Sequence, residues 1–526
     1  MTPATAAVLP FAPSATPETA RAKVKTIAEL AILAEQARSR GQRVALAHGV
    51  FDLVHMGHVR HLEEAHRHGD LLFVTITPDR FVNKGPGRPV FTAELRAEML
   101  AALETVDYVG VNEHPSAELL IATIKPDSYV KGPDYSNEGE DLTGKIAAER
   151  EAVEQGGGKL VITDDITFSS SALINRHLNV FEPEVAGYLK GIDRDAFLKQ
   201  ALGAIDSIKD KRVLLIGEAI IDEYQYVKPM GKAAKENIIA SRYAGREVFA
   251  GGVIAAANHV ADFVKSVEVI TVLGERDSYA DLIRDTIRPN VTVHSLSRPG
   301  VPTIRKTRFV DPGHMRKLFE VYHFEDAPLT GSLESQLCDL IARRAGEFDT
   351  VIVTDFGHGM MTWNAIDTVL QKAPFLAVNS QSNSANLGYN LVTRYPHADY
   401  ICIDAPEAQL AMGDRFTDIG ELVSKRMTRS IDCEKFIVTH GQHGCIAWAP
   451  DQGIRRVPAF TRQVADTMGA GDAFLSVTSP IVAAGASMEV AAFIGNAVGA
   501  IKVGIVGHRQ SVEKIPVQKY ITTLLK

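Results

Sequence analysis

Cysteine is scarce in this sequence and unclustered. The four residues, Cys338, Cys402, Cys433 and Cys445, stand far apart and form no Cys-x-x-Cys pair. That excludes a zinc ribbon and a disulfide framework and points to a reducing compartment, the cytoplasm. No apolar run approaches the roughly 20 residues a membrane helix needs. The start of the chain lacks a basic stretch followed by an apolar core, so neither a membrane partner nor secretion is expected. Runs of Lys and Arg are absent too. With a formal net charge of -8, a surface that coats nucleic acid is excluded, because neutralising a phosphate backbone needs clustered cations. Nucleotides can still bind in local pockets.

What remains is ample for packed cores. Hydrophobic residues make up 45% of the chain and charged residues 23%, ordinary values for a globular protein. A length of 526 residues implies two or more domains rather than one enlarged core. Residues 1–24, rich in Ala, Pro and Thr without periodicity, read as a mobile tail. Buried strands then alternate with amphipathic helices. Arg43–Ala47 and Leu71–Ile76 read as strands, Thr92–Leu103 as a helix, and Tyr108–Val111, Ser128–Lys131 and Leu160–Thr163 as further strands. The rhythm is βαβ, which predicts an α/β domain with a doubly wound parallel sheet over 25–185. A polar, helix-prone linker is expected at 186–208. Arg212–Gly217 opens a second α/β series that fills 209–526.

In the first half the run His48-Gly-Val-Phe-Asp-Leu-Val-His55-Met-Gly-His58 follows a predicted strand and precedes a predicted helix, where doubly wound sheets bind phosphates. Two histidines separated by Met-Gly can both face one phosphate, Gly57 admits the backbone, and the helix start adds partial positive charge. Such a site suits in-line attack of a phosphate oxygen on a nucleotide α-phosphate, where catalysis is positioning and charge stabilisation. Structural histidines and helix-capping serines are the plainer reading of such residues. At this run the sequence resembles the cytidylyltransferase-like nucleotidyltransferases, through Gly49, Phe51 and Asp52 followed by His55 and His58. The resemblance extends to Lys84 and Arg88, to Arg96, to Lys131 in Lys131-Gly-Pro-Asp-Tyr135, and to Ser169, Ser170 and Ser171. It implies catalytic roles for His55, His58 and Lys84. Gly49, Phe51, Asp52, Arg88, Lys131 and the three serines would bind nucleotide, with Arg96 as a further cation for phosphate.

In the second half Asp466-Thr-Met-Gly-Ala-Gly-Asp472 precedes an apolar helix-like run. Its small residues let backbone amides converge on a phosphate, and an aspartate at the edge of that anion hole can take a proton from a sugar hydroxyl. This run resembles the signature of the ribokinase (PfkB) family of carbohydrate kinases. Asp472 is then the base, and Thr467, Gly469, Ala470 and Gly471 surround the nucleotide. By the same resemblance Gly217-Glu-Ala-Ile-Ile-Asp222, Gly251-Gly252 and Asn258 form the sugar end. Lys306 and Arg308 in Thr303-Ile-Arg-Lys-Thr-Arg308 meet a substrate phosphate, against the plainer reading of an exposed basic strand. Thr439, Gly441 and Gly444 flank the ATP base. Asp404 and Glu407 act on magnesium through water, in a run Asp-Ala-Pro-Glu where the family carries Asn-x-x-Glu. Glu218 stands where heptose kinases carry Asp, and the insert before Asn258 is longer than usual.

Taken whole, the chain resembles the bifunctional heptose 7-phosphate kinases and heptose 1-phosphate nucleotidyltransferases, with the two domains in reversed order. The resemblance implies a multifunctional transferase of nucleotide-sugar biosynthesis: a Rossmann-like nucleotidyltransferase followed by a ribokinase-like kinase, with Mg2+, ATP as phosphoryl donor and ATP or CTP as nucleotidyl donor. Sugar phosphates and nucleoside triphosphates are the expected partners. A homodimer through strands within Tyr224–Val248 also follows from it. Two alternatives stand beside this: a CTP-dependent polyol- or glycerol-phosphate cytidylyltransferase fused to a kinase, and a protein with one half degenerate and serving as a sensing or scaffolding module.

Overall fold

The computed structural model describes residues 17–82, 85, 87–132, 145–163, 173–175, 178 and 180–526. Contacts divide the chain into two compact units, one ending at Glu182 and the other spanning Pro183–Leu525.

The first unit is built on six parallel strands: β1 (Val24–Lys25), β2 (Val44–Gly49), β3 (Leu71–Ile76), β4 (Tyr108–Val111), β5 (Ser128–Lys131) and β6 (Lys159–Ile162). Their order is β1-β4-β3-β2-β5-β6. The order reverses at β2, which pairs with β3 on one side and β5 on the other. The crevice beyond the carboxyl ends of such strands is where doubly wound sheets take ligands. Continuous apolar runs such as Val44–Ala47 and Leu72–Val74 are wholly buried because helices cover both faces. The predicted strands fall within a residue or two of their expected places, and the predicted helix at Thr92 begins with Thr92 itself as its N-cap. Pro17–Ala22, placed by sequence in a mobile tail, is a helix, and Val24–Lys25 is an edge strand paired with β4.

The second unit holds a nine-stranded sheet and a four-stranded one. The large sheet comprises β7 (Arg212–Gly217), β10 (Ser266–Arg276), β11 (Val291–Pro302), β14 (Thr350–Asp355), β15 (Leu376–Ser380), β16 (Tyr400–Asp404), β17 (Phe436–Thr439), β18 (Cys445–Ala449) and β19 (Gly453–Val457), in the order β11-β10-β7-β14-β15-β16-β17-β18-β19. It is parallel from β11 to β17, and β18 and β19 are added antiparallel. The small sheet, β13-β12-β8-β9, is formed by β8 (Ala219–Lys232), β9 (Ile239–Gly252), β12 (Arg305–Asp311) and β13 (Arg316–His323). Residues 186–208, expected as a linker, are helical: Pro183–Lys190 and Arg194–Ser207. Phe197, Ala201 and Ile205 repeat at helical spacing and are buried, and Phe197 meets Phe493 edge-on at 5.0 Å. The segment therefore belongs to the second unit's core.

Candidate active sites

In the first unit β2 ends at Gly49, and a short loop leads into the helix Met56–His66. His55 is the N-cap: its Nδ1 accepts the Gly57 N–H at 3.1 Å, so the neutral ring carries its proton on Nε2. Burial holds its proton affinity below the usual histidine value. The ring stacks on His58 with centroids 4.0 Å apart, and Phe51 meets His58 edge-on at 5.1 Å. Phe51 adopts φ +49°, a left-handed conformation uncommon for a bulky side chain and often found at functional turns. A Cβ on Gly49 would lie 3.1 Å from the Phe51 ring, so the glycine makes room for it.

Several residues expected at the nucleotide are tied into the surrounding fold. The buried Asp52 carboxylate accepts the Val90 N–H at 2.6 Å and the Phe91 N–H at 3.3 Å, and pairs with Arg88 at 3.3 Å. Arg88, 1% exposed, also donates to Asn175 at 2.9 Å. Arg96 is fully buried and donates to the carbonyls of Val50, Thr77 and Phe91 and to the Asp79 carboxylate. Its guanidinium fixes the two loops that follow β2 and β3. Lys131 pairs with the buried Glu149 at 2.9 Å. Lys84, the run 133–135 and Ser169, Ser170 and Ser171 lie outside the described residues.

The second unit encloses a cavity of about 540 Å³ between the large sheet and the small one. At its floor Gly469, φ +70°, caps the helix Ala470–Ala483. Thr467, Gly469, Ala470, Gly471 and Asp472 all line the cavity, and helix geometry leaves the first-turn N–H groups without internal acceptors. Asp466 anchors this loop: it accepts from the Tyr224 hydroxyl at 2.6 Å, Lys317 at 2.8 Å, the Gly507 N–H at 2.8 Å and the Met468 N–H at 3.2 Å. Burial raises the Asp472 carboxyl to about 6; Asp222 adds to this, and His508 opposes it.

Asp222 lines the same cavity. Parallel pairing of β8 with β12 sets it opposite Lys306, and its carboxylate is ion-paired with Arg308 and lies 3.2 Å from the His508 Nε2. Burial pushes the Asp222 carboxyl up, but the Arg308 charge and His508 outweigh it and hold the group well below the usual carboxylate range. Gly251 is obligatory here, since a Cβ would lie 2.0 Å from the Asp222 Oδ2. Gly252, φ +58°, caps the next helix and lines the cavity. Lys306 also lines it, with its ammonium over the Tyr322 ring at 5.2 Å and its proton affinity lowered by burial. Asn258 does not reach the cavity. Its amide donates to the Thr286 carbonyl and accepts the Arg288 N–H, so it braces the following segment.

At the far end Thr439, Gly441 and Gly444 line the cavity around the β17–β18 turn. Asp404 and Glu407 face it as well and cap each other's backbone N–H at the helix Ala405–Met412. Burial raises both carboxyls, and the Asp404 charge helps push Glu407 to about 8. Among the described residues no cluster of three or more His, Cys, Asp or Glu could hold a metal ion. Sequence reasoning missed Lys502 and His508, which reach the Asp466–Asp472 loop from the end of the helix Met488–Lys502 and the turn after it, a stretch that carries no motif.

Comparisons with known proteins follow this division. The profile of the pfkB family carbohydrate kinases matches residues 210–515, and the cytidylyltransferase-like profile matches residues 46–176. "Bifunctional protein HldE" of Alcanivorax borkumensis is 38% identical over 156 residues, 29% of this chain and 31% of that protein. Its namesake in Edwardsiella ictaluri is 41% identical over 154 residues, 29% and 31%. Both matches fall on the N-terminal domain, so the chain spans about a third of the length of these curated relatives. The Arabidopsis thaliana ribokinase complexed with ribose and ATP aligns with 60% of this chain and 99% of its own, at 17% identity and TM-score 0.46. Escherichia coli phosphofructokinase-2 in complex with substrates and products covers 60% and 100%, at 15% identity and TM-score 0.49.

Proposed function

We propose, for a chain that belongs to the pfkB family of carbohydrate kinases, a bifunctional enzyme of nucleotide-sugar biosynthesis with two separate active sites. The second unit phosphorylates a sugar or sugar phosphate with ATP. The first transfers a nucleotidyl group from ATP or CTP to a sugar 1-phosphate and releases pyrophosphate. The observation that carries the kinase reading is Asp472, a carboxylate of acidity near 6 in the first turn of the helix Ala470–Ala483, sharing one cavity with Asp222.

In the kinase step Asp222 accepts a hydrogen bond from a sugar hydroxyl, and Asp472 takes the proton of the attacking one. The new O–P bond forms as the bond to the ADP oxygen breaks. The loop amides from Gly469 onward receive the charge on the transferred phosphoryl group. Lys306 supplies positive charge for a phosphate on the substrate. A magnesium ion, when bound, neutralises phosphate oxygens. Asp404 and Glu407 fit a water-mediated role toward it, because both line the cavity yet spend oxygens on capping each other's backbone. In the first unit the sugar 1-phosphate oxygen attacks the α-phosphate. His55, with its proton on Nε2, and its stacked neighbour His58 are placed to stabilise the charge that develops there. The names of the N-terminal relatives support the pairing of the two activities.

The test follows ATP-dependent sugar phosphorylation and pyrophosphate release in one preparation. Asp472→Asn should lose about 10²–10⁴-fold in the first activity and none in the second. His55→Ala with His58→Ala should do the reverse, and pyrophosphate release that stays near wild type would sink the transfer site. For assembly, Met230, Ile239, Tyr243 and Phe319 leave apolar side chains exposed on the small sheet, and a second copy of the chain is their proposed cover.

A further inference from the structure

Lys502 ends the helix Met488–Lys502 and is wholly buried. Lysine is almost never fully buried without a charged partner, yet among the described residues no carboxylate lies within ion-pair distance of this one. Its Nζ donates to two backbone carbonyls, Met468 O at 2.6 Å and Gly507 O at 2.8 Å. Both belong to the frame of the phosphate-facing loop. Met468 precedes Gly469, the cap of the helix Ala470–Ala483. The Gly507 N–H donates to Asp466, and Val503 O accepts from Ala465 and Asp466 at 2.8 and 3.0 Å. Lys502 therefore straps two loops together from beneath.

The consequence for the cavity follows from peptide geometry. In a planar trans peptide the C=O and the following N–H point in opposite directions. With the Met468 carbonyl drawn onto the ammonium, the Gly469 N–H is directed away from it, and Met468, Gly469 and Ala470 line the cavity while Lys502 does not. Backbone carbonyls also coordinate monovalent cations, so the two that converge on this ammonium can contribute to holding a potassium or ammonium ion in its place. Burial pulls the lysine's proton affinity down to about 8, against the opposing pull of Asp466 and Asp472, which leaves it charged at pH 7.

We infer that Lys502 is a positioning residue for phosphoryl transfer, a built-in cation that fixes the Met468–Gly469 peptide and adds positive charge behind the anion hole. The inference rests on the kinase reading of the Asp466–Asp472 loop. It separates Lys502 from a merely structural lysine, because a tethered cation makes the wild-type kinase indifferent to monovalent cations and its removal creates a demand for them.

The experiment measures sugar phosphorylation by wild type, Lys502→Met and Lys502→Ala in choline, potassium and ammonium chloride at equal ionic strength, with pyrophosphate release and thermal melting as controls. Wild type is expected to show the same kcat in all three salts. Folded Lys502→Ala should lose about 10²-fold in kcat in choline and recover at least about tenfold in ammonium or potassium. Lys502→Met, which fills the space, should lose as much and recover less. A wild type that requires potassium overturns the inference even if neither variant folds. So does a folded variant with unchanged kcat, or a loss that no cation recovers. A wild type that phosphorylates no sugar or sugar phosphate in any salt refutes the kinase reading itself, and the inference falls with it.

Discussion

Acid pH should silence the kinase through loss of the Asp472 base. Burial raises Asp472 from the ordinary 3.8 to about 6, so the carboxylate needed as a base is present above pH 6 and is lost as the pH falls through that value. With one ionisation near 6, the base form is nearly complete at pH 8 and about one tenth at pH 5, so kcat/KM should fall about tenfold per unit on the acid side. Asp222 stays ionised across this window, because Arg308 and His508 hold it far below the usual range. The same shift has a stability consequence of opposite sign. A carboxyl whose folded acidity is weakened binds its proton more tightly when folded, so stability falls as pH rises from about 4 to about 6 and stays lower above. Asp472→Asn removes that cost, and the variant should melt higher than wild type at pH 8 while losing phosphorylation. The assay is a pH series of kcat/KM paired with thermal melts of both proteins. An acid limb near pH 4, or an Asp472→Asn protein that melts lower at pH 8, would refute the reasoning.

Gly251→Ala would put a Cβ 2.0 Å from the Asp222 carboxylate, and should raise the KM for sugar more than about tenfold without altering pyrophosphate release. Arg96→Met leaves the carbonyls of Val50, Thr77 and Phe91 without their donor. It should cost about 3–5 kcal/mol in the first unit, seen as lost pyrophosphate release at temperatures where sugar phosphorylation persists. Phe319→Asp, on the exposed face of the small sheet, should shift the protein to a monomer by light scattering if a second copy covers that face, and leave its mass unchanged if none does.

The backbone of both sites was legible because their chemistry constrains the chain locally. Gly49 ends a strand and Gly469 and Gly471 lie at the start of a helix, and such turns are written in consecutive residues. Side chains that arrive from elsewhere were harder to assign. Arg308 reaches Asp222 only because β12 pairs with β8 in parallel, and Lys502 and His508 come from the end of a helix and the turn after it, a stretch that carries no motif. Charge was the least reliable guide. Arg88 and Arg96 resemble phosphate ligands in sequence, yet a guanidinium has five donors and suits a buried carbonyl cluster equally well. Burial bears on which role a guanidinium takes, and no spacing encodes it.

The two departures from the kinase pattern have unequal weight. Glu218 does not line the cavity. Its carboxylate accepts the N–H groups of Phe356 and His358, each at 3.0 Å, and so braces the turn Asp355–Gly359 from behind. A longer acid at this position changes how that turn is supported, not which ligand atoms are touched. Asp404 does face the cavity, at the end lined by Thr439 and Gly441, away from Asp222. Neither change therefore alters the sugar end. We propose that substrate choice lies with Asp222, Lys306 and His508, which line the cavity and of which only His508 lies outside every recognisable motif.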